Sequence, residues 1–156
     1  MANFDLAITG VLAHEGGYVS DPQDLGSETN LGISKKAYPN EDIKNLSIER
    51  AKELYKRDYW DVIQGDKIYS QKIAESIFDF GVNAGNATSI KLAQEIVGAG
   101  VDGKIGPNTI AMINSFNEEK FIPLFKLAKI ERYIEICSKR PDNKKFFFGW
   151  VVRTLK

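Results

Sequence analysis

Apolar residues recur at helical spacing through most of this chain, and the places where that spacing fails are as informative as the places where it holds. Phe4, Ile8, Val11 and Leu12 fall on one face of a helix predicted over residues 4–14. Continuing the same turn puts Glu15 on that apolar face. Gly16 and Gly17 then supply the left-handed backbone that commonly ends a helix. The period is lost next. Asp21, Pro22, Gln23, Asp24, Leu25, Gly26 and Ser27 form a turn-rich stretch, and residues 18–20 and 30–33 read as two short strands of a hairpin around it.

Helical spacing returns after Pro39 and Asn40. Ser47 reads as an N-cap, opening a helix through Ile48, Ala51, Tyr55 and Tyr59 that ends near Trp60 and Asp61. Ser70 reads as a second cap, with Ile73, Ala74, Ile77, Phe78 and Gly81 as the apolar face and Gly85 as the stop. Asn86 is expected to cap the next helix, with Ile90, Ala93 and Val97 inward and Gly98 ending it. Pro107 suits a first helical position, and a short helix follows to Asn114. Asn117 starts the longest pattern, through Phe121, Phe125 and Ala128 to Cys137. It is apolar nearly all round in places, which predicts the central buried helix. Pro123 either kinks it or marks its true start. A last helix from about Pro141 carries Phe147, Trp150 and Val151. There is no repeat, low-complexity tract or linker. These elements predict one mainly α domain over residues 1–156, with a smaller hairpin-bearing lobe (residues 1–65) and a helical-bundle lobe (residues 66–156).

Composition narrows the function classes. The chain has 156 residues, with 21 Lys and Arg against 21 Asp and Glu. With no net charge, no bulk basic field draws it to nucleic acid or anionic lipid. The late cluster of Lys139, Arg140, Lys144 and Lys145 reads as a solvated rim. Cys137 is the one cysteine and is expected to be a small buried apolar residue; His14 is the one histidine. That pair of counts argues against a zinc site, a Cys–His nucleophile or an internal disulfide. No apolar run reaches membrane-spanning length. The first residues carry no basic region or cleavage site, so synthesis in the cytoplasm and assisted release to the periplasm or cell wall is expected, with the protein acting as a monomer.

The candidate chemistry centres on Glu15. Burial on an apolar face and the negative end of a helix dipole both raise a carboxyl pKa, and a carboxylic acid still protonated near neutral pH suits general acid catalysis. The loop beyond supplies Asp21, Asp24 and Glu28, then Thr29. Cleavage of a glycosidic bond uses two groups on opposite sides of the scissile bond, one donating a proton and one attacking or holding water. Asp24 or Asp21 then stands as the base, with Thr29 positioning the water. The acids do not match a calcium-loop spacing, so no metal is expected. Tyr18, Tyr38, Tyr59, Trp60 and Trp150 are candidates for a substrate bed, since sugar faces pack on rings; Tyr18, directly after the acid and its glycines, is the first choice. Glu75, Asp79 and Asn83 share one helical stripe that either lines a cleft or faces solvent, and Asp79 and Asn83 also suit a buried hydrogen-bonding role.

These motifs together resemble a known family. Glu15-Gly16-Gly17-Tyr18, Asp21-Pro22 and the run from Glu28 to Ser34 are similar to the glycoside hydrolase family 108 lysozymes, muramidases of phage and bacterial origin. Further matches are Tyr55 with Arg57-Asp58-Tyr59-Trp60-Asp61, the run from Phe78 to Gly85, Asp102-Gly103 with Ile105-Gly106-Pro107, and Gly149-Trp150 with Arg153. The resemblance implies a lysozyme-like fold that cuts the β-1,4 bond between N-acetylmuramic acid and N-acetylglucosamine in peptidoglycan. It implies Glu15 as the catalytic acid, no cofactor, and a second half resembling a predicted peptidoglycan-binding region. Phage-type lysozymes place an Asp nine residues after the Glu and a Thr about six later; here Asp24 keeps the first interval and Thr29 comes one residue early. Trp60, Tyr18, Asp79 and Asn83 are the substrate-binding candidates. The alternatives are a non-catalytic peptidoglycan-binding module, which needs the aromatic cleft but not Glu15, and a helical adaptor that binds protein through the late aromatic and basic helices.

Overall fold

The computed structural model describes residues 1–14, 17–20 and 28–156. Among them are seven α-helices and one three-stranded antiparallel sheet, the mainly helical make-up expected. Helix α1 (Phe4–His14) leads into β1 (Val19–Ser20), β2 (Glu28–Asn30) and β3 (Ile33–Ser34). Then come α2 (Ile48–Tyr55), α3 (Gln71–Ala84), α4 (Asn86–Val97), α5 (Pro107–Ser115), α6 (Glu118–Lys139) and α7 (Lys144–Leu155).

Where a polar cap was legible, the helix starts where expected. Ser47 accepts from the N–H of Arg50, Ser70 from that of Ile73 and Asn117 from that of Lys120, each satisfying an otherwise orphaned donor. Ser70 also donates to Glu118 Oε2 at 2.6 Å, so the start of α3 is tied to the start of α6. Pro107 opens α5, and Gly98 closes α4 in the left-handed region at φ 75°. Asn86 does not cap α4: it is already helical, Gly85 holds the cap position, and the Asn86 amide donates to the Asp58 carbonyl at 2.7 Å. Pro123 neither delays nor ends α6, because the Asn117 cap starts the helix a turn and a half earlier and it runs on through the proline.

Three further expectations give way to packing. The segment 30–33 is not one strand. Leu31 and Gly32 have φ 52° and 76°, and these two left-handed residues turn the chain between β2 and β3, pairing Asn30 with Ile33 and Thr29 with Ser34. Ile48 is half exposed, and the inner face of α2 is instead Ala51, Leu54 and Tyr55. The central helix is α3, not α6. Ile73, Ala74, Ile77, Phe78, Phe80 and Gly81 are buried on several sides of α3, which packs on α1, α4 and α6. Helix α6 buries a single stripe of Phe121, Phe125, Lys129 and Cys137 and exposes Leu124, Leu127 and Ile134. An apolar residue count cannot distinguish a helix wrapped by neighbours from one whose outer face is also apolar.

One hydrophobic cluster joins both halves of the chain, from Ala2 to Phe125. Its first centre is Trp60, with Phe4 and Phe78 rings at 5.8 and 5.5 Å. Its second is Phe80, Phe121 and Phe125. Helix α2 passes into a π-helical turn, Lys56–Trp60, in which the Asp61 N–H reaches back to the Lys56 carbonyl at 2.8 Å. The added residue per turn brings Trp60 fully inward. The ring then lies so close to Gly65 that any side chain there would strike it.

Candidate active site

The geometry of the site starts with the register of α1 on α3. The Asn3 N–H donates to Gln71 Oε1 at 2.7 Å and Gln71 Nε2 donates back to the Asn3 carbonyl at 3.0 Å. Two turns further on, Gly10 and Val11 share a groove with Asp79. The two helices therefore run side by side in the same direction. The expected inner face of α1 is the observed one, with Ile8 and Val11 buried and Phe4 and Leu12 packed against the core. Glu15, Asp24 and Asp21 lie outside the described residues.

The hairpin follows α1. Thr29 is on the middle strand, paired with Val19 on one side and Ser34 on the other. Tyr18 stands just before β1, 41% exposed, and its hydroxyl donates to Glu28 Oε1 at 3.2 Å across the strands. An exposed ring braced by a neighbouring carboxylate is a suitable platform for a sugar face. The far side of the sheet is anchored by polar contacts. Tyr55 donates to the Leu31 carbonyl at 3.0 Å, holding the left-handed turn, and Asn30 Nδ2 donates to the Ile43 carbonyl at 3.0 Å.

The groove along α1 has a volume of about 480 Å³ and is walled by α1, α3, α6 and α7. Asp79 lies on its wall, with one carboxylate oxygen 3.2 Å from Arg153 Nη2 of α7. Asn83, one turn on, is exposed rather than buried; its amide donates to the Asp79 carbonyl at 2.8 Å and leans on Asp79 Oδ2 at 3.3 Å. Glu75 is half-buried and accepts from Gln71 Nε2. Of the stripe at helical spacing, Glu75 and Asp79 lie on this groove and Asn83 is not among its lining residues.

Trp60 does not belong to any substrate bed. It is fully buried, and its indole N–H donates to Asp66 Oδ1 at 2.8 Å. The π-helical turn that carries it inward has no signature in the hydrophobic pattern. Tyr38 and Tyr59 are half-buried, and Tyr38 donates to Asp58 Oδ2 at 2.9 Å. Arg57 binds the same carboxylate through Nε and Nη2 at 2.6 and 2.7 Å. That pairing, with the Tyr38 hydrogen bond, holds the Asp58 carboxyl below its usual range against a partial burial that opposes it. Burial, and then the bond to Asp58, push the Tyr38 phenol well above its own range. This pair locks the hairpin lobe to the helices, since the Asp58 carbonyl also receives the Asn86 amide. Trp150 is half-buried and stacks with Tyr133 and Phe146 between α6 and α7.

Two polar residues that sequence reasoning passed over organise the structure. Gln94, almost fully buried, donates to Asp102 Oδ1 and the Lys104 carbonyl and accepts from the N–H groups of Asp102 and Gly103, fixing the 102–106 turn. Lys129 is buried on α6 and reaches the groove. Nothing in a helical pattern marks which of several lysines is inside; only its place in the Phe121, Phe125, Lys129 stripe hints at it. Among the described residues no cluster of three or more His, Cys, Asp or Glu is placed to hold a metal, and no helix is long and apolar enough to cross a membrane.

Comparison with known proteins bears on the whole of this arrangement. A family model described as glycosyl hydrolase 108 matches residues 8–85, from the middle of α1 through the hairpin to the end of α3. A second model, described as a predicted peptidoglycan domain, matches residues 88–155. The seam between them falls at the Gly85 turn, although α3 and α4 on either side share the same core. Among solved structures, one titled "Structure of Brucella abortus SagA" is similar over 97% of this chain and 88% of that one, at 28% identity and a TM-score of 0.81. No curated protein matches. With half the chain covered by the first model and the fold shared along nearly its full length, the chain belongs to the glycosyl hydrolase 108 family.

Proposed function

We propose that the protein is a muramidase, hydrolysing the β-1,4 bond between N-acetylmuramic acid and N-acetylglucosamine in peptidoglycan. The observation that carries this reading is the hydrolase family match over residues 8–85, a range that takes in Glu15, Asp24 and Thr29. Glu15 is the general acid, donating its proton to the leaving glycosidic oxygen. Asp24 and Thr29 are the groups that activate and place the second reactant, with Thr29 on the middle strand of the hairpin. Tyr18 supports a sugar ring, and Asp79 and Asn83 line the approach along α3. The match of residues 88–155 to a predicted peptidoglycan domain supports peptidoglycan as the partner. In this reading the second half is the floor of the same cleft, acting with residues 1–65 as one unit.

The test is Glu15→Gln, which removes the proton and keeps the shape. A positioned acid contributes roughly 10²- to 10⁴-fold, so the release of reducing ends from purified sacculi is expected to fall by that factor with the melting temperature unchanged. Mass analysis of wild-type products, expected to end in reducing N-acetylmuramic acid, identifies the bond. Near-normal release by the variant would remove Glu15 from the mechanism, and pull-down of sacculi without any release by the wild type would favour a binding module.

A further inference from the structure

The groove along α1 contains a cation that the proposed hydrolysis does not use. Lys129 is only 9% exposed, yet it lines the groove. Its ammonium lies over the faces of Phe80 and Phe125, 5.4 and 5.7 Å from the ring centroids. Those two rings are its contacts among the described residues, and its Nζ is open to the groove rather than sealed from water. An ammonium carries three donors, and over two ring faces at the edge of a groove they remain available to an anion that enters it. Burial pushes its pKa down, the Asp79 carboxylate opposes that, and the like charges of Lys126 and Arg153 add to it.

The charges around it point to one kind of ligand. Lys126, Lys129, Arg153 and Lys156 face the groove against two carboxylates, Glu75 and Asp79. Both carboxylates are already engaged, Glu75 by Gln71 and Asp79 by Arg153 and Asn83. Arg153 spends one contact on Asp79, which leaves most of its five donors for another anion. The wall opposite is mostly small and apolar, formed by Leu6, Ala7, Thr9, Gly10 and Val11 of α1, with the Thr9 hydroxyl turned to the Asp5 carbonyl. A ligand with a carboxylate and short apolar side groups fits both walls. The stem peptide on muramic acid, rich in alanine and ending in a carboxylate, has that chemistry. Val11 is three residues from the end of α1, about 4.5 Å along the axis, and an extended stem of about four residues spans up to about 14 Å. A glycan held at that helix end can lay its stem into the groove.

We propose that this groove is a carboxylate subsite for the peptide stem, with Lys129 and Arg153 binding the stem's carboxylate. The choice of the stem as ligand rests on the muramidase reading, and the test separates the two. The wild-type protein is titrated calorimetrically with the tetrapeptide alanyl-γ-glutamyl-lysyl-alanine and with the same peptide amidated at both free carboxyls. The acid is expected to bind, and the amidated form to bind at least about tenfold more weakly, since hydrogen bonds to charged groups are the strong ones. Lys129→Met, which keeps the apolar stem and removes the charge, is expected to weaken the acid form by roughly tenfold with a melting temperature equal to or above wild type. Arg153→Gln, on the rim, is expected to act in the same direction without touching the core. On glycan, the wild type is expected to show a higher KM for strands stripped of peptide than for stem-bearing strands.

No binding of the acid peptide, equal affinity for its amidated form, or wild-type affinity in Lys129→Met would overturn the subsite. Peptide binding that depends on Lys129 in a protein that releases no reducing ends would uphold the subsite and sink the catalytic reading instead.

Discussion

The two halves of the molecule are held together by different forces. Residues 30–60 attach the hairpin through polar contacts: Tyr55 on the Leu31 carbonyl, Asn30 on the Ile43 carbonyl, Tyr38 on Asp58, and Arg50 paired with Glu41 through two bonds at 2.6 and 3.2 Å. Its strands are two or three residues long, too short to bury a face of their own. The helical half is held by rings and aliphatic side chains around α3, with Trp60, Phe78, Phe80, Phe121 and Phe125 almost wholly buried. Directional bonds fix a small element in one pose where, of its strand residues, Ile33 is the one that reaches the shared core. Close packing supplies most of the stability and tolerates no void. The chemistry proposed above would draw on both, on residues that follow α1 and on a hairpin whose position depends on a few hydrogen bonds.

If that division is right, the largest loss of stability comes from the helical side. Phe78→Ala removes a ring between Phe4 and Trp60 and is expected to cost about 3–5 kcal/mol, read as a shift in the denaturant midpoint with an unchanged slope. Tyr55→Phe strips only the hydroxyl from a buried ring and leaves the Leu31 carbonyl without its donor. About 1–3 kcal/mol is expected, with hydrogen exchange quickened in β2 and β3 and not in α3. Equal acceleration everywhere would show that the hairpin is not separately held.

The smallest effect is a matter of pH. Asp58 has its folded-state pKa lowered, first by Arg57 and also by Tyr38, so its contribution is present above the ordinary carboxyl range and lost as pH falls through the lowered value. Asp58→Asn is therefore expected to flatten the acid limb of the stability curve below about pH 4 and to leave the neutral melting temperature only slightly reduced. An unchanged acid limb would mean that the Tyr38 and Arg57 contacts do not couple the hairpin to the helices.

What the sequence disclosed follows the same division. Ser47, Ser70 and Asn117 announced their helices because a cap is a local bond between near neighbours. The core positions of α1, α3 and α4 were legible because the faces they bury repeat at helical spacing. Trp60, Lys129 and the 31–32 turn were not, each for a physical reason. A π-helical turn rotates Trp60 without changing which residues are apolar. Lys129 lies against Phe80 of α3, which is remote from it along the chain. Leu31 takes a left-handed conformation that the Tyr55 hydroxyl, more than twenty positions away, helps to hold. In the site, the spacing of Glu75 and Asp79 put them on one stripe but left a cleft and solvent equally open, and the pairing of Asp79 with Arg153 joins residues from opposite ends of the second half.

The mutual bonds between Asn3 and Gln71 fasten α1 to α3 at the end remote from the hairpin. A helix is stiff along its axis, so a clamp at its first turn sets how far its last turn projects, much as a nail at one end of a ruler sets where the other end points. If the proposed chemistry sits just past α1, it would depend on these bonds some three turns distant, whose loss would leave the proposed reacting groups chemically whole but out of alignment.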